Sequence, residues 1–215
     1  MARFPRRLGG RFAALVRADL PGVRAGFIAL LISSLGDLVT GITLGSITHT
    51  LELLPGLIVL VPAAIGMRGN VFGALGSRLG TQIHAGTFRW SNRVDTEAGQ
   101  NAAAAMVASV VVAAALAVLA KVVSVAFGHG GSISVLDFMV VSVVGACLSA
   151  VVVLVITVAV AAFCARRDLD LDNVSAPIVT AAGDMVTLPS LFLATYLLDL
   201  RIVTPVLGVR SEEHT

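Results

Sequence analysis

FMVVSVVGACLSAVVVLVITVAVAAFCA, residues 138–165, contains no charged side chain. An α-helix crosses the hydrocarbon core of a bilayer with about 20 apolar residues, so this stretch reads as a complete transmembrane span. It is also more apolar than any helix a soluble protein half-buries, because neither face is polar. The composition agrees. The chain is 57% hydrophobic and 13% charged, whereas a soluble domain carries about 25% charged residues. Too little charge remains for a water-facing surface.

Working outward, four further apolar blocks flank this span. The first runs from about Ala25 to Thr48 with one charge, Asp37. The second starts near Leu53 and continues to about Ala85, through Pro55, Pro62 and Arg68-Gly69-Asn70, which predicts a long, interrupted helix. The third is Ala102 to Phe127, and the last is Asn173 to Leu198 with one charge, Asp184. The expected fold is an all-α integral membrane protein of about five transmembrane helices. Residues 1–24 form a basic segment and 201–215 a tail around the membrane domain, 25–200.

Several function classes are disfavoured. The 15 basic and 13 acidic residues give a net charge of +2, and the arginines sit between apolar blocks instead of forming one patch, so nucleic-acid binding is not expected. Cys147 and Cys164 lie within one block, about 25 Å apart on a helix, too far for a disulfide. His49, His84, His129 and His214 are scattered without helical pairing, so a zinc site is unsupported. His49 and Glu52 read as loop residues at the end of the first block. No nucleophile elbow, P-loop or dinucleotide fingerprint is present, and the chain is not read as an enzyme.

The chemistry lies in the acids inside the blocks. Gly36-Asp37-Leu38-Val39-Thr40 is echoed by Gly183-Asp184-Met185-Val186-Thr187. Both blocks cross in the same direction, and both aspartates fall about 16–18 Å from the start of their block at ~1.5 Å per residue. A carboxylate at that depth is costly and marks a cavity, a partner or an ion path. The competing reading is a structural acid paired with Arg68 or Arg78. Thr40 and Thr187 follow on the same helical face as candidate lining residues. Asn70 offers an amide carbonyl to a cation or its water, and Ser77 and Thr81 share its face; their alternative role is helix–helix hydrogen bonding. The pairs Gly69/Gly73, Gly76/Gly80 and Gly41/Gly45 have spacing that permits close helix approach. Carboxylate, amide and hydroxyl form a hard-oxygen set suited to Mg²⁺, with Mn²⁺ or Ca²⁺ also compatible.

Two stretches resemble a known family. Leu54-Pro55-Gly56-Leu57 through Pro62-Ala63-Ala64-Ile65-Gly66-Met67-Arg68-Gly69-Asn70, with Ser77-Arg78-Leu79 and Thr81, is similar to MgtE-type magnesium transporters, in the branch that includes eukaryotic solute-carrier relatives. Asp172-Asn173-Val174-Ser175-Ala176-Pro177-Ile178-Val179-Thr180 through Gly183-Asp184-Met185-Val186-Thr187-Leu188 resembles the last helix of that family. The resemblance implies a five-helix domain that dimerises, with the ion path at or near the dimer interface. It implies that Asp184 is the acid that binds hydrated magnesium, that Asn70 occupies the Gly-Asn position, and that Asp37 matches the first-helix aspartate of the solute-carrier branch. Asn173 and Thr180 in the matching stretch are further lining candidates. Family members often carry cytosolic regulatory domains, and the solute-carrier relatives carry two copies of the membrane domain. About 24 residues precede the first span here and one copy is present, so gating through such domains is not expected. The partners expected are membrane lipid and a second copy, or a similar half-size chain in a heterodimer. The rival functions are a proton-coupled carrier using the same aspartates and a non-transporting membrane scaffold.

Arginine placement sets the expected orientation. Arg3, Arg6, Arg7, Arg11, Arg17 and Arg24 precede the first block, Arg89 and Arg93 follow the second, and Arg166 and Arg167 follow the fourth. The connection from Gly128 to Val135 has no Lys or Arg. Positively charged loops stay inside, which predicts a multi-pass protein of the plasma or cell inner membrane with a cytoplasmic N-terminus and an extracytoplasmic C-terminus. In a chain lacking Cys147 and Cys164, Gly131→Cys should react with an impermeant maleimide on intact cells. Ser91→Cys should react only after permeabilisation; labelling of position 91 from outside would contradict the orientation.

Overall fold

The computed structural model describes residues 20–47, 55–89, 94–128, 134–167 and 171–210. Five long helices account for nearly all of them: α1 (Leu20–Ser46), α2 (Pro55–His84), α3 (Glu97–Ala126), α4 (Val135–Arg167) and α5 (Leu171–Arg210). Each holds a segment long and apolar enough to cross a membrane, the one in α5 being Val174–Tyr196. α3 and α4 begin before their apolar blocks, where local capping starts them. Thr96 accepts a hydrogen bond from the Gly99 amide at the head of α3. Ser134 accepts from the Asp137 amide and donates to its carboxylate at the head of α4, satisfying donors that the first turn leaves without a helical partner.

The second span is long, as expected, but the expected interruption is not observed. α2 runs as one helix through Pro62 and through Gly69-Asn70. Pro62 lacks an amide hydrogen and so costs one ladder bond. It is exposed on the helix surface, where its ring needs no room in the core, and a transmembrane helix tolerates such a residue when its surroundings compensate.

In a bilayer the lipid is as apolar as the protein core, so small residues rather than hydrophobic ones select the inward face. α3 shows this most plainly. Its buried residues are Ala98, Gly99, Ala102, Ala105, Ser109, Ala113, Ala117, Ala120 and Ser124, a stripe recurring every three or four positions. Its larger residues, including Val107, Val111, Leu119 and Val122, face outward. α3 packs on α2 and α4, and the Ser142 hydroxyl donates to the Ala113 carbonyl at 2.7 Å across the α3–α4 contact.

α5 is the hub. It packs against α1, α2 and α4, whereas α1, among the described elements, packs on α5 alone. One apolar layer contains Phe72, Leu75, Leu79, Val153, Leu171 and Val179. A second contains Leu57, Leu60, Phe138, Leu188 and Leu191. Between them lies a small patch of Met67, Ala113 and Ala146, beside the buried Arg68.

The α4–α5 crossing is the tightest point. A Cβ placed on Gly145 would lie 2.8 Å from Leu191 Cδ2 and 3.2 Å from its Cα. The second contact is with backbone, so a rotamer change cannot relieve it. Gly145→Val should lower stability by about 1–3 kcal/mol, the usual cost of overpacking. Gly73, where a Cβ meets nothing within 4 Å, should accept Ala without loss. Unfolding midpoints of the two variants in detergent check this.

Candidate functional site

The two Gly-Asp motifs occupy helix crossings. Gly36 of α1 lies against α5, where a Cβ would come 3.1 Å from both Ala181 Cβ and Met185 Sδ. Those residues bracket Asp184 along α5, so Asp37 and Asp184 stand at the same level. Equal depth thus follows from the contact. Counting from helix starts is less secure, because α1 begins at Leu20 and not near Ala25. Gly183 of α5 lies against α2, with a Cβ position 3.2 Å from Arg68 Cβ and 3.8 Å from the Gly69 amide nitrogen. In both motifs the glycine removes a side chain at the crossing, and the next residue is the acid.

The motif repeats its hydrogen bonding too. The Thr40 hydroxyl donates to the Gly36 carbonyl at 3.1 Å, and the Thr187 hydroxyl to the Gly183 carbonyl at 2.5 Å. Each threonine returns its proton to the preceding turn. Thr187 is completely buried and Thr40 half-buried, so Thr187 steadies the turn that carries Asp184 from behind.

Asp184 is half-buried and Asp37 exposed. Neither makes a hydrogen bond or ion pair with another described residue. The arginines that might have neutralised them are engaged elsewhere. Arg68 is 1% exposed and its Nη1 donates to the Ala146 carbonyl of α4 at 2.8 Å. Arg78 Nη1 donates to Asn101 Oδ1 of α3 at 3.1 Å. The structural reading of the aspartates, as acids paired with Arg68 or Arg78, is therefore not supported by the geometry.

The remaining candidates surround this pair unevenly. Thr180, one turn before Asp184, is exposed and touches the crossing, its Cγ2 lying 3.3 Å from a Cβ position on Gly69. Asn70, next along α2, is exposed and makes no hydrogen bond with a described residue. Ser77 and Thr81 continue its face toward the end of α2, with the Thr81 hydroxyl donating to the Ser77 carbonyl at 3.1 Å. The Asn173 side chain lies outside the described residues. The glycine pairs divide likewise. Gly69 is occupied by Thr180, and Gly76 by Ser175, whose Oγ lies 3.2 Å from its Cβ position, both inside the chain. Gly41, Gly45 and Gly73 face open space.

Sequence reading missed the Arg68–Ala146 bond and the crossing role of Gly36 and Gly183. The available signal was the motif itself, since a glycine preceding an intramembrane acid twice points to a contact at that level.

A family model of divalent cation transporters, MgtE, matches residues 61–194. The chain belongs to the MgtE family. The matched range takes in Asn70, Thr180 and Asp184, while Asp37 lies ahead of it. The chain is also 26% identical over 169 residues to solute carrier family 41 member 3 of Rattus norvegicus, an alignment covering 77% of this chain and 37% of that relative. It therefore spans little more than a third of the relative's length. No solved structure gives a significant match. Among the described residues no cluster of three or more His, Cys, Asp and Glu side chains is present in this MgtE chain.

If Arg68 is independent of the acids, a double-mutant cycle of Arg68→Gln and Asp184→Asn should show a coupling below about 0.5 kcal/mol, as for non-interacting sites. Coupling above about 1 kcal/mol would make Arg68 the counter-ion of Asp184. Unfolding of the four proteins in one detergent gives the value.

Proposed function

We propose that the chain carries hydrated divalent cations, magnesium foremost, along a path in which Asp184 is the primary ion site and Asp37 the secondary one. One observation carries this reading: two intramembrane carboxylates stand at one level on packed helices, without a cationic partner among the described residues. Two anions together at that depth repel each other, and a divalent ion between them relieves the repulsion. Magnesium sheds its water reluctantly, so a few oxygens touching its hydration shell suffice. Thr180 and Asn70 extend the oxygen surface from α5 onto α2. Ser77 and Thr81 continue it toward one membrane face, and Thr40 borders it on α1.

The same surface supports a dimer. Asp37, Asn70 and Thr180 are exposed on the single chain. An aspartate facing lipid at mid-membrane costs about 2.5–3.5 kcal/mol on insertion scales, and a second chain would exchange that lipid for a shared, watered path. The open surfaces at Gly41, Gly45 and Gly73 permit close approach. Residues 25–200 are thus the transport domain, with a homodimer or a pair with a similar chain as the working unit. The orientation derived from the arginines would place the Ser77–Thr81 end of the path at the cytoplasm.

Calorimetric titration of magnesium tests the ranking. A hydrogen bond to a charged group contributes about 1.5–3 kcal/mol, so Asp184→Asn should weaken binding by about tenfold or more, and Asp37→Asn by less. Binding should also weaken on acidification, because protons and metal compete for the same oxygens. Loss of binding in Asp37→Asn alone would reverse the ranking, and unchanged binding in both would remove the site. Loss of pH dependence with divalent binding intact would favour a proton-coupled carrier. The particle in mild detergent should have twice the 22.1 kDa chain mass; a transport-competent monomer would contradict the dimer.

A further inference from the structure

A groove on the outside of the bundle is lined by none of the residues grouped with the aspartates. It runs along the outer face of α4, has a volume of about 720 Å³, and is walled on its other side by Phe88, which follows α2. Leu154 and Val158 line its deep end, Ala159 and Ala162 its middle, and Arg166 its mouth. The alanines carve it: a small side chain every turn leaves a channel between larger neighbours.

Its dimensions suit one kind of occupant. From Leu154 to Arg166 is about 18 Å of helix, close to the ~15 Å of hydrocarbon in one leaflet. The groove therefore extends from the membrane surface to about the midplane. Its wall is apolar throughout, and its charge sits only at the mouth. Arg166 is exposed and makes no ion pair with a described residue. Its neighbour Arg167 is turned onto the Phe163 ring, 5.6 Å from the centroid, a cation–π contact that leaves Arg166 as the cation at the opening. Arg89, exposed, follows Phe88 on the opposite wall. An apolar channel one leaflet deep beneath a guanidinium complements an acyl chain beneath a phosphate, and Arg is well suited to phosphate oxygens.

We propose that this groove is a binding site for an anionic glycerophospholipid, with one acyl chain along Ala159 and Ala162 and the headgroup phosphate on Arg166. The site is separate from the ion path and does not depend on it. A zwitterionic headgroup also offers a phosphate, but its own cation offsets the attraction of the arginine at the mouth. A transmembrane helix of a second copy is the rival occupant, and it would place its own side chains, not a phosphate, at Arg166.

Native mass spectrometry of the full chain, released from detergent with phosphatidylglycerol or phosphatidylcholine added, tests the proposal. Phosphatidylglycerol should be retained preferentially. One arginine near a membrane surface contributes about 1 kcal/mol toward anionic lipid, so Arg166→Gln should weaken retention by about fivefold. Arg166→Lys should keep most of it. Ala159→Leu fills the channel at an exposed position, so it should lower retention while leaving folding intact, and soluble glycerol phosphate should fail to compete. Acids follow the arginine in sequence, Asp168 and Asp170, which makes headgroup charge the decisive arm. Equal retention of the two lipids, or no effect of Arg166→Gln, would overturn the proposal. So would undiminished lipid retention in Ala159→Leu, full competition by glycerol phosphate, or a change in particle mass on Ala159→Leu with lipid retention unaltered.

Discussion

Helices in a bilayer gain little by hiding apolar surface from one another, because lipid is an equally good solvent for it. What holds them is close van der Waals approach, which bulky residues prevent. In this chain that approach is concentrated at a few glycines around α5: Gly36 from α1, Gly69 and Gly76 from α2, Gly145 from α4, and Gly183 of α5 itself. The alanine stripe of α3 does the same for the opposite side of the bundle. Everything placed at mid-depth inherits its position from these contacts. Asp37 and Asp184 meet because the residues preceding them are crossing points, not because the acids attract each other. Like charges brought together this way repel, and the packing has to supply the energy that holds them.

The second constraint is the separation of charge. Arg68 shares the level of the aspartates but is turned to another helix, and Arg78 lies nearly three turns further along α2. Arg68 and Arg78 are tied to carbonyl or amide oxygens of α4 and α3, while the aspartates lie along the α1–α5 contact. Arg68 keeps its charge buried with a single hydrogen bond, and its Nε has no partner, an arrangement that costs about 1–3 kcal/mol for the unsatisfied donor. The gain is that the acids stay uncompensated. Carboxylates neutralised by arginine would have no use for a cation; the pair kept from Arg68 and Arg78 retains the charge that the proposed ion path requires.

Much of this was legible in the sequence, and the reason is physical. Long apolar blocks with no more than one or two charges read as spans, so five helices follow from the sequence pattern. Two isolated acids within such blocks stand out because burial of charge is costly, and their shared Gly-Asp-x-Val-Thr surroundings imply equal depth. What could not be read was pairing. Both faces of α3 and α4 are apolar, so hydrophobic periodicity says nothing about which face turns inward, and only residue size carries that information. The partner of Arg68 was hidden for a related reason: it is a backbone carbonyl, which every residue possesses. Pro62 and Gly69-Asn70 misled in the opposite sense, since residues that often break helices in water lie within one continuous α2. Thr187, a lining candidate by its spacing, is buried in the single chain and bonded to its own helix.

The proposed path requires an ion seated between the two aspartates of the α1–α5 crossing. Anomalous diffraction from crystals grown with manganese, which substitutes for magnesium among hard-oxygen ligands, locates that ion directly. The account predicts one strong anomalous peak beside the Asp184 carboxylate, on the side facing Asp37. A peak elsewhere along the bundle, with no density between these two residues, would contradict it.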